Sequence, residues 1–315
     1  MTSLHLHIAS ISRVAQGVLQ FELCPMDGVF LPPFSPDAHV DIRLPGGLRR
    51  SYSLANDSPE RHRYVLGIQH EPQGRGGSAW LHDAACVGTV LEVSPPANDF
   101  GLVEDADHSL FIAGGIGITP IWCMVQRQNA LGRNWTLHYR ARSRASAAFL
   151  QELRHPDFAH RVQLSIGDEG DPRPDIQALV ETARARTHFY CCGPLSMLDA
   201  FESSCGSLDP RYVHLERFGT GQEVSSEGGF QVRLQRSGTI VDIGAGQTIL
   251  AALEAHGVAV PSSCQQGVCG VCECRVLEGK PDHRDLVLSD DEKAAGTTMM
   301  ICCSGSHSPL LVLDM

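Results

Sequence analysis

The sequence predicts three folded parts in series: an antiparallel β-barrel, a doubly wound parallel α/β domain and a small C-terminal β domain. Short alternating or β-rich segments fill the N-terminal third, and strand and helix patterns then alternate from Leu110 onward. A stretch rich in Gly, Ser and Glu precedes the last part. We expect domains at 1–104, 105–219 and 230–315, with a linker at 220–229.

Composition and charge exclude several classes of protein. The formal net charge of −11 argues against nucleic acid and anionic membranes as partners. No basic residue precedes Arg13, and the longest apolar run, Leu110–Val125, is broken by glycines and Pro120. We therefore expect neither a secretory signal nor a membrane helix, and a cytoplasmic location. The twelve cysteines should then be reduced thiols or metal ligands.

The N-terminal part contains five strand-like segments separated by turn signals such as PGG and SPE. The segments are LHLHIASIS, VLQFEL, HVDIRL, RYVLGIQHE and TVLEVS. Short alternating strands with frequent turns are typical of a small antiparallel barrel.

The middle part alternates five apolar runs with amphipathic stretches. The runs are LFIAGG, WTLHYRA, RVQLSI, THFYCCG and YVHLERF. Strand–helix alternation of this kind predicts a five-stranded parallel sheet with helices on both faces.

The last part begins with a probable hairpin, FQVRLQRSGTIVDI, and a helix, TILAALEAHG, that ends at Gly257. A cysteine-rich loop, an acidic segment and a final strand, LLVLDM, follow.

The cysteine loop has the spacing of a plant-type [2Fe–2S] site. Cys264 and Cys269 are separated by four residues, Cys269 and Cys272 by two, and Cys272 and Cys302 by 29. Three thiolates from one short segment can converge on a small iron–sulfur rhomb, and nearby glycines let backbone N–H groups approach the sulfur atoms. The spacing alone does not choose between Cys302 and the adjacent Cys303.

Zinc is the alternative for these thiols. A structural zinc site usually uses two C-x2-C pairs, and here the second pair is adjacent rather than spaced. The spacing favours the iron–sulfur cluster. Cys274 is expected to be a buried structural thiol.

A cluster accepts single electrons whereas nicotinamide gives a hydride, so a flavin is expected to join the two. In the barrel, RRSYSLAND offers a guanidinium, an aromatic ring and a hydroxyl along one extended segment, and GRGGSAWLHD offers a glycine turn that opens a short helix. The alternative for the first motif is an ordinary strand end. The candidate flavin residues are Arg50, Tyr52, Ser53, Arg75, Gly76, Gly77 and Ser78.

In the α/β part, FIAGGIGITP places Gly114, Gly115 and Gly117 between the first strand and a helix. Such glycines allow close approach of the backbone to a pyrophosphate. Pro120 occupies the last position of the generic G-x-G-x-x-G fingerprint, so that motif is not present. A tight strand–helix turn is the alternative. YCCGP ends a later strand at the same carboxyl edge, where ligands of open sheets bind.

These motifs together resemble the phthalate dioxygenase reductase family, the one-chain FMN and [2Fe–2S] reductases that serve Rieske oxygenases; vanillate demethylase and carnitine monooxygenase reductases are similar. The likeness covers essentially the whole chain. It is carried by RRSYSLANDS, GRGGS, AGGIGITP, YCCGP, VPSSCQQGVCGVC, DHRD and LLVLDM. The resemblance implies a β-grasp ferredoxin fold for 230–315 and the cofactors FMN, NADH and a [2Fe–2S] cluster.

The resemblance also implies roles for individual residues. Tyr52 would lie against the flavin ring with Ser53 near its reactive nitrogen, Cys192 would lie close to the hydride-donating carbon, and Phe218 would cover the flavin. Arg50 would also hold FMN, while Arg75, Gly77 and Ser78 would hold its phosphate. The nicotinamide pocket would be shaped by Gly115, Gly117, Thr119 and Pro120, with Gly193 and Pro194 beside Cys192.

The family's fourth cluster ligand lies in C-x-S-R-A, which selects Cys302. This chain has Gly305 where the family has arginine. That difference leaves the ligand intact and puts in doubt any contact the arginine makes around the cluster or with the partner.

The preferred nucleotide depends on two opposing features. Asp168, near the end of the third α/β strand, could bind the adenosine ribose and repel a 2′-phosphate. Arg140, Arg142 and Arg144 follow the second strand and could pair with that phosphate. The family favours NADH, which we follow.

The implied function is electron transfer from NADH through FMN and the cluster to the Rieske centre of an oxygenase, without an acid–base catalyst in the chain. Docking is expected near the cluster and the acidic segment 281–292. That segment has five carboxylates, Asp282, Asp285, Asp290, Asp291 and Glu292, against Arg284. The alternative is a solvated helix start.

Two rival functions remain open. The chain could reduce a different monooxygenase or a general acceptor, or it could be a zinc-stapled or flavin-sensing binding module without turnover.

Overall fold

The computed structural model describes residues 3–72, 74, 76–98, 100–219, 229–262 and 264–315. The chain divides into two compact units, Met1–Arg217 and Phe218–Met315. Arg75 and residues 220–228 of the predicted linker lie outside the described residues. In the described part, no helix has the length and apolar character needed to cross a membrane.

The first unit begins with a six-stranded antiparallel sheet, in the order β4-β3-β6-β1-β2-β5. A bridge between Leu54 and Leu66 brings its two outer strands together, so the sheet closes into the predicted barrel. The strands are β1 (Leu4–Ala15), β2 (Val18–Pro25), β3 (His39–Arg43), β4 (Arg49–Ser53), β5 (Tyr64–Gln69) and β6 (Val90–Val93), with helix α1 (Gly77–Asp83) between β5 and β6.

Inward-facing aliphatic and aromatic side chains fill the barrel, among them Ile8, Phe21 and Leu66. Strand β4 is the one that the alternation of apolar residues does not predict, because its sequence RRSYS is mostly polar. It forms an edge of the sheet and pairs only with β3 along its length.

The first unit continues with a five-stranded parallel sheet, in the order β11-β10-β7-β8-β9, as predicted. The strands are β7 (His108–Gly114), β8 (Trp135–Ala141), β9 (Val162–Ile166), β10 (Thr187–Cys192) and β11 (Val213–Glu216). The helices are α2 (Ile118–Ala130), α3 (Leu150–Leu153), α4 (Pro156–Ala159), α5 (Ile176–Glu181) and α6 (Leu195–Cys205).

Helices cover both faces of this sheet, which confirms the doubly wound architecture. On one face, Phe111 and Leu137 pack with α2 in a cluster that extends to the barrel residues Ala55 and Val65. On the other face, Leu110, Ile112 and Phe189 pack with α5 and α6. The barrel and the α/β domain therefore share one hydrophobic cluster.

The second unit is a mixed five-stranded sheet, in the order β13-β12-β18-β14-β16, with a separate two-stranded ribbon. The first and last strands, β12 and β18, are parallel neighbours at its centre, as the β-grasp fold requires. The elements are β12 (Phe230–Leu234), β13 (Ile240–Ile243), α7 (Ile249–Ala255), β14 (Glu273–Glu278), β15 (Pro281–Asp282), α8 (Asp290–Ala295), β16 (Thr298–Met300), β17 (Gly305–Ser306) and β18 (Leu310–Leu313).

The predicted hairpin, helix and final strand of this unit are β12–β13, α7 and β18. Thr248 caps α7 by accepting a hydrogen bond from the Ala251 N–H at 3.0 Å, and Gly257 follows the helix with φ +77°. Ile249, Leu250 and Leu253 of α7 pack against the sheet.

Candidate functional site

The two predicted flavin motifs meet in the barrel. Gly77, the first residue of α1, lies against Arg50 of β4: a Cβ atom at Gly77 would be 2.6 Å from Arg50 Cγ and 2.9 Å from its Nε. Only glycine fits this position without displacing the arginine. The structure thus brings together a guanidinium and a glycine turn that lie 27 positions apart in the sequence.

The rest of the candidate flavin residues follow from the same two elements. Tyr52 and Ser53 end β4, and burial raises the pKa of Tyr52 to about 12, which keeps its hydroxyl protonated. Gly76 has φ +81°, a conformation that favours glycine. Ser78 Oγ accepts a hydrogen bond from the Glu71 N–H at 3.0 Å. These groups form a polar cradle that fits a flavin phosphate and ring.

The predicted nicotinamide residues meet at the carboxyl edge of β7 and β10. These strands are parallel neighbours, with Cys192 beside Ala113. A Cβ at Gly114 would lie 2.6 Å from Pro194 Cδ, and one at Gly117 would overlap the Cys192 backbone. The glycine turn after β7 and the Cys192–Pro194 turn after β10 are therefore packed backbone to backbone.

The start of α2 also touches the barrel. The Thr119 hydroxyl donates to the Ile116 carbonyl at 3.0 Å, and its methyl group faces Gly67 of β5, where a Cβ would lie 2.7 Å from Thr119 Cγ2. Pro120 is buried in the next turn of the helix. The predicted nicotinamide pocket thus adjoins the barrel, as hydride transfer between two ligands requires.

Cys192 is fully buried, and its thiol donates to Glu216 Oε2 at 3.8 Å. Burial raises the pKa of Cys192 well above its usual value, and the charges of Glu216 and Asp37 raise it further. The side chain is therefore a neutral thiol rather than a nucleophilic thiolate. Glu216 lies directly beside Cys192 on β11.

Glu216 and Asp37 belong to none of the sequence motifs that predict the site. Glu216 lies in HLERF, and the strand alternation that places Cys192 on the adjacent strand could have indicated it. Asp37 is 1 % exposed with φ +74°, an uncommon conformation for a residue other than glycine. No local pattern predicts that burial.

Asp168 lies where it was predicted, in the turn after β9, where its N–H donates to the Arg142 carbonyl at 2.9 Å. It makes no hydrogen bond to the glycine turn after β7 within the described residues. Phe218, the first residue of the second unit, is 41 % exposed.

Two of the three arginines that could bind a 2′-phosphate are already engaged. Arg144 Nε donates to Glu169 Oε1 at 2.7 Å. Arg140 Nη1 donates to Ser165 Oγ at 2.7 Å and to the Asp171 carbonyl at 2.8 Å. This leaves Asp168 and its neighbours as an acidic end of the strand, which suits a free ribose better than a phosphate.

The four predicted cluster ligands form two pairs. The Cys269 thiol donates to the Cys264 sulfur, which lowers the pKa of Cys264 to about 7. The Cys272 thiol donates to the Cys302 sulfur; this bond lowers the pKa of Cys302, but the contact with Cys303 and burial outweigh it and raise the pKa to about 12. Two pairs of thiols match a two-iron cluster, in which each iron binds two thiolates.

Backbone N–H groups surround the same sulfur atoms. The Gln266 N–H donates to Cys264 Sγ at 3.3 Å, and the Val271 and Gly267 N–H groups donate to Cys269 and Cys302. Such bonds stabilise the negative charge of a bound cluster. The donor set therefore fits a [2Fe–2S] cluster.

Zinc fits this arrangement less well. In the described part of the chain, no three His, Cys, Asp or Glu side chains converge as a single-ion site requires. Cys302 forms the pair with Cys272, whereas Cys303 Sγ donates to the Met300 carbonyl at 3.7 Å. Cys274 is buried on β14 and lies 7 % exposed, as expected for a structural thiol.

The acidic segment 281–292, which was expected to support docking through its five carboxylates, does not present all of them at the surface. Asp285 is 2 % exposed and accepts hydrogen bonds from the Val287 and Leu288 N–H groups at 3.1 and 2.8 Å. Asp282 pairs with Arg284 at 2.7 Å. The sequence could not reveal that these two carboxylates are used internally.

The other three carboxylates of the segment form the first turn of α8. Glu292 completes a capping box with Ser289, so the helix-start alternative describes this stretch. Of the five carboxylates in this segment, only those of Asp290 and Asp291 are surface charges that take no part in the capping box.

Apolar side chains are exposed next to the cluster loop. Val271, Leu286 and Val287 are each 38–45 % exposed. Leu286 is tied to the loop, because its N–H donates to the Gly267 carbonyl at 2.9 Å, and Val287 lies beside Gly270. We call these three side chains the apolar rim.

Comparison with known proteins adds the following. Residues 232–305 match the family model for the 2Fe-2S iron-sulfur cluster binding domain. The chain is 58 % identical to phenoxybenzoate dioxygenase subunit beta of Ectopseudomonas oleovorans, over 100 % of this chain and 98 % of that protein. It is 45 % identical to tetrachlorobenzoquinone reductase of Sphingobium chlorophenolicum, over 100 % and 99 % respectively.

Among solved structures, the chain matches phthalate dioxygenase reductase, described as a modular structure for electron transfer from pyridine nucleotides to [2Fe–2S]. The TM-score is 0.91 and the identity 40 %, and the match covers 99 % of this chain and 98 % of that one. The agreement extends over the barrel, the parallel sheet and the cysteine-bearing unit alike.

Proposed function

The chain belongs to the phthalate dioxygenase reductase family of oxidoreductases, and from this membership we propose that it is the NADH-dependent reductase component of a two-component Rieske oxygenase or demethylase. The observation that carries the proposal is the presence in one chain of three candidate sites with the right chemistry. These are the Arg50–Gly77 cradle, the packed turns at Gly117 and Cys192, and the paired cysteines.

When bound, FMN accepts the two electrons of NADH as a hydride and the [2Fe–2S] cluster relays electrons singly, which is the chemistry that a Rieske centre needs. The chain's own residues position and enclose these groups. Arg50 supplies positive charge for a phosphate, and Gly77 allows it to approach. Tyr52, protonated throughout the physiological range, offers a ring and a hydroxyl donor.

The nicotinamide end is shaped by backbone rather than by charged side chains. Gly117 and Gly193 let the turns after β7 and β10 pack backbone to backbone, because a Cβ atom at either position would meet the opposite turn. The surface that these turns offer to a nicotinamide is therefore mostly backbone. The Cys192 thiol stays neutral beside Glu216, so it can pack against the ring without competing as a nucleophile. No general acid or base is required of the chain.

The preference for NADH over NADPH is part of the proposal. It is supported by the engagement of Arg144 with Glu169 and of Arg140 with Ser165. With those guanidiniums occupied, a 2′-phosphate near Asp168 would be repelled by its carboxylate.

Docking is proposed at the apolar rim rather than over a broad acidic patch. Val271, Leu286 and Val287 lie beside the loop that carries the cluster ligands, and electron transfer favours a short path through this face. Asp290 and Asp291, at the start of α8, would steer a basic oxygenase surface toward it. Leu286→Asp should slow electron transfer to the oxygenase while leaving reduction by NADH unchanged.

The proposal includes a cytoplasmic location, in which the twelve free cysteines would stay reduced. The substrate of the oxygenase does not contact this chain and is not part of the proposal.

A second acceptor class has specific support. The relative at 45 % identity is a tetrachlorobenzoquinone reductase, so a close sequence can serve a quinone instead of an oxygenase. We keep direct reduction of a quinone, or of another non-Rieske acceptor, as the alternative function.

The test is an anaerobic titration of the cofactor-loaded protein with NADH and then NADPH, followed in the visible spectrum and by EPR. We expect NADH to bleach the flavin and cluster bands and to produce a rhombic [2Fe–2S] signal. Reduced protein is then mixed with a Rieske oxygenase or with a benzoquinone. Failure of both nucleotides to reduce a loaded flavin would contradict the reductase proposal, and faster oxidation by the quinone would favour the alternative acceptor.

A further inference from the structure

A cavity opens at the amino edge of the parallel sheet, the edge opposite to the glycine turn. Its volume is about 360 Å³. One wall consists of the starts of β7 and β8, and the other consists of the end of α5 and the turn after it. We call it the amino-edge cavity; the side chains that line it include His108, Leu110, His138, Arg161, Leu179 and Arg184.

The ionisable residues that line the cavity are all basic. Two are histidines, His108 and His138, and two are arginines, Arg161 and Arg184. Neither Asp nor Glu occurs among the lining residues in the described part of the chain, although the chain carries a net charge of −11. Burial lowers the pKa of both histidines, so the positive charge of the cavity comes from the two arginines, and with no carboxylate in the lining it attracts anions.

The arginines are available to a ligand. The Arg184 side chain is exposed and makes no ion pair or hydrogen bond with another described residue. Arg161 lies over the Trp135 ring, 5.4 Å from its centroid, and donates through Nη1 to the Arg133 carbonyl at 2.7 Å. That contact fixes the Arg161 guanidinium at the rim and leaves its Nη2 group unused in the described structure.

His138 adds an independent observation. It is 7 % exposed, lies on the same face of β8 as Thr136, and makes no hydrogen bond with any described residue. His108, by contrast, is bonded to Thr136 Oγ1 at 3.1 Å. The ring nitrogens of His138 are thus open to the cavity and available to a ligand there.

We propose that the amino-edge cavity binds a small organic carboxylate. The guanidinium of Arg184 would pair with the carboxylate, His138 would donate a hydrogen bond, and Leu110 and Leu179 would contact an apolar body. The volume is in the range of pockets for small organic ligands and exceeds what a bare inorganic ion fills.

This site is separate from the nicotinamide pocket. Strand β7 begins at His108, beside the cavity, and ends at Gly114, beside the glycine turn. Six residues of extended strand span roughly 20 Å. The inference therefore stands on the cavity alone and does not depend on the function proposed above.

The experiment is isothermal titration of the cofactor-loaded full chain with benzoate, benzamide and inorganic phosphate. Benzamide keeps the shape of benzoate without its charge, and phosphate keeps charge without an apolar body. We expect benzoate to bind at least roughly tenfold more tightly than either, since the charge-assisted bond and the apolar contact are both needed.

Variants locate the binding. Arg184→Gln should weaken benzoate binding by roughly tenfold, and His138→Phe, which keeps the ring shape and removes both nitrogens, should also weaken it. Arg13→Gln, a matched loss of charge at an exposed position on β1, should leave binding unchanged.

Three results would overturn the proposal. In the first, benzoate fails to bind. In the second, Arg13→Gln weakens benzoate binding as much as Arg184→Gln does, which would place the binding site outside the cavity. Phosphate could bind as tightly as benzoate and be weakened equally by Arg184→Gln, in which case the cavity takes bare oxyanions and the assignment to an organic carboxylate is wrong.

Discussion

Gln126 Nε2 of helix α2 donates a hydrogen bond to the Ala55 carbonyl at 2.8 Å. Ala55 follows the barrel strand that carries Tyr52 and Ser53, and α2 begins at the predicted nicotinamide turn. Three residues earlier in α2, the Cys123 thiol donates to the Asn56 carbonyl at 3.1 Å. Helix α2 thus connects the end of the flavin strand to the nicotinamide turn.

We expect Gln126→Ala to lower the free energy of unfolding by about 1 kcal/mol, because the Ala55 carbonyl loses its side-chain donor. Urea unfolding of the flavin-loaded protein measures this. Gln177→Ala is the matched control, since Gln177 bonds only to Glu181 on the exposed surface of its own helix. Equal losses in the two variants would mean that the bond to Ala55 contributes nothing specific.

Gly77→Ala should weaken FMN binding by about tenfold, because the new methyl group displaces the Arg50 side chain. Quenching of flavin fluorescence during titration of the apoprotein gives the dissociation constant. Gly101→Ala is the control: nothing lies within 4 Å of a Cβ there, and its affinity for FMN should equal that of the unmodified protein. An unchanged affinity in Gly77→Ala would exclude this cradle as the phosphate site.

Cys302→Ser should abolish the [2Fe–2S] EPR signal and reduce the iron content, because one thiolate of the Cys272–Cys302 pair is lost. Cys303→Ser should retain both, since the Cys303 sulfur faces the Met300 carbonyl. The opposite pattern would make Cys303 the ligand. Iron and sulfide analysis of both variants distinguishes the two.

Glu169→Gln should raise kcat/KM for NADPH several-fold relative to NADH, because it releases Arg144 to meet a 2′-phosphate. The pKa of Glu169 is lowered by its hydrogen bond from Arg144, so the carboxylate is charged at neutral pH and the pair is intact. Steady-state rates with both nucleotides measure the ratio. An unchanged ratio would place the adenosine phosphate away from this arginine.

The pair His188–His214 should make stability depend on pH. Burial and, to a smaller extent, the charge of the neighbouring His188 together lower the pKa of His214 to about 4; the ring nitrogens of the two histidines are 3.0 Å apart. Between the unfolded pKa near 6.5 and this value, the unfolded chain binds a proton that the folded chain does not. The free energy of unfolding must therefore fall as the pH decreases through that window.

We expect this contribution to be about 1 kcal/mol between about pH 7.5 and pH 5, after allowance for the partial exposure of the ring. His214→Phe keeps the stacking on Tyr190, whose ring centroid lies 4.4 Å away, and removes the titration. Its unfolding free energy should fall less over the same interval. Parallel pH dependences in the two proteins would contradict the assignment.

The sequence was most informative where a pattern is local. The alternation of apolar residues predicts the barrel and the parallel sheet, and the cysteine spacing predicts which segments carry the cluster ligands. Both patterns depend on positions close together in the chain. Strand β4 is the exception in the barrel, since the same polar residues that could bind a cofactor hide its strand pattern.

The contacts that the sequence does not predict join distant segments or depend on burial. Nothing in the local pattern near Gly77 indicates that Arg50 lies over it, and nothing near Asp285 indicates that two N–H groups occupy its carboxylate. The composition of the acidic segment gives its charges but does not reveal which of them the fold uses internally. Glu216 is a different case, because the pairing of β10 with β11 that brings it beside Cys192 follows a strand pattern present in the sequence.

Helix α2 also bears on how such reductases can be recombined. Its start, at Gly117–Pro120, would set the nucleotide contacts, while Gln126 and Cys123 donate hydrogen bonds to the backbone that follows the flavin strand. A chimera joined near residue 104 would place the α2 of another reductase against this barrel. That helix would have to form both hydrogen bonds again. Exchange of residues 1–217 as one block keeps both hydrogen bonds. We therefore expect this block, rather than either sheet alone, to be the part that can be transferred between reductases.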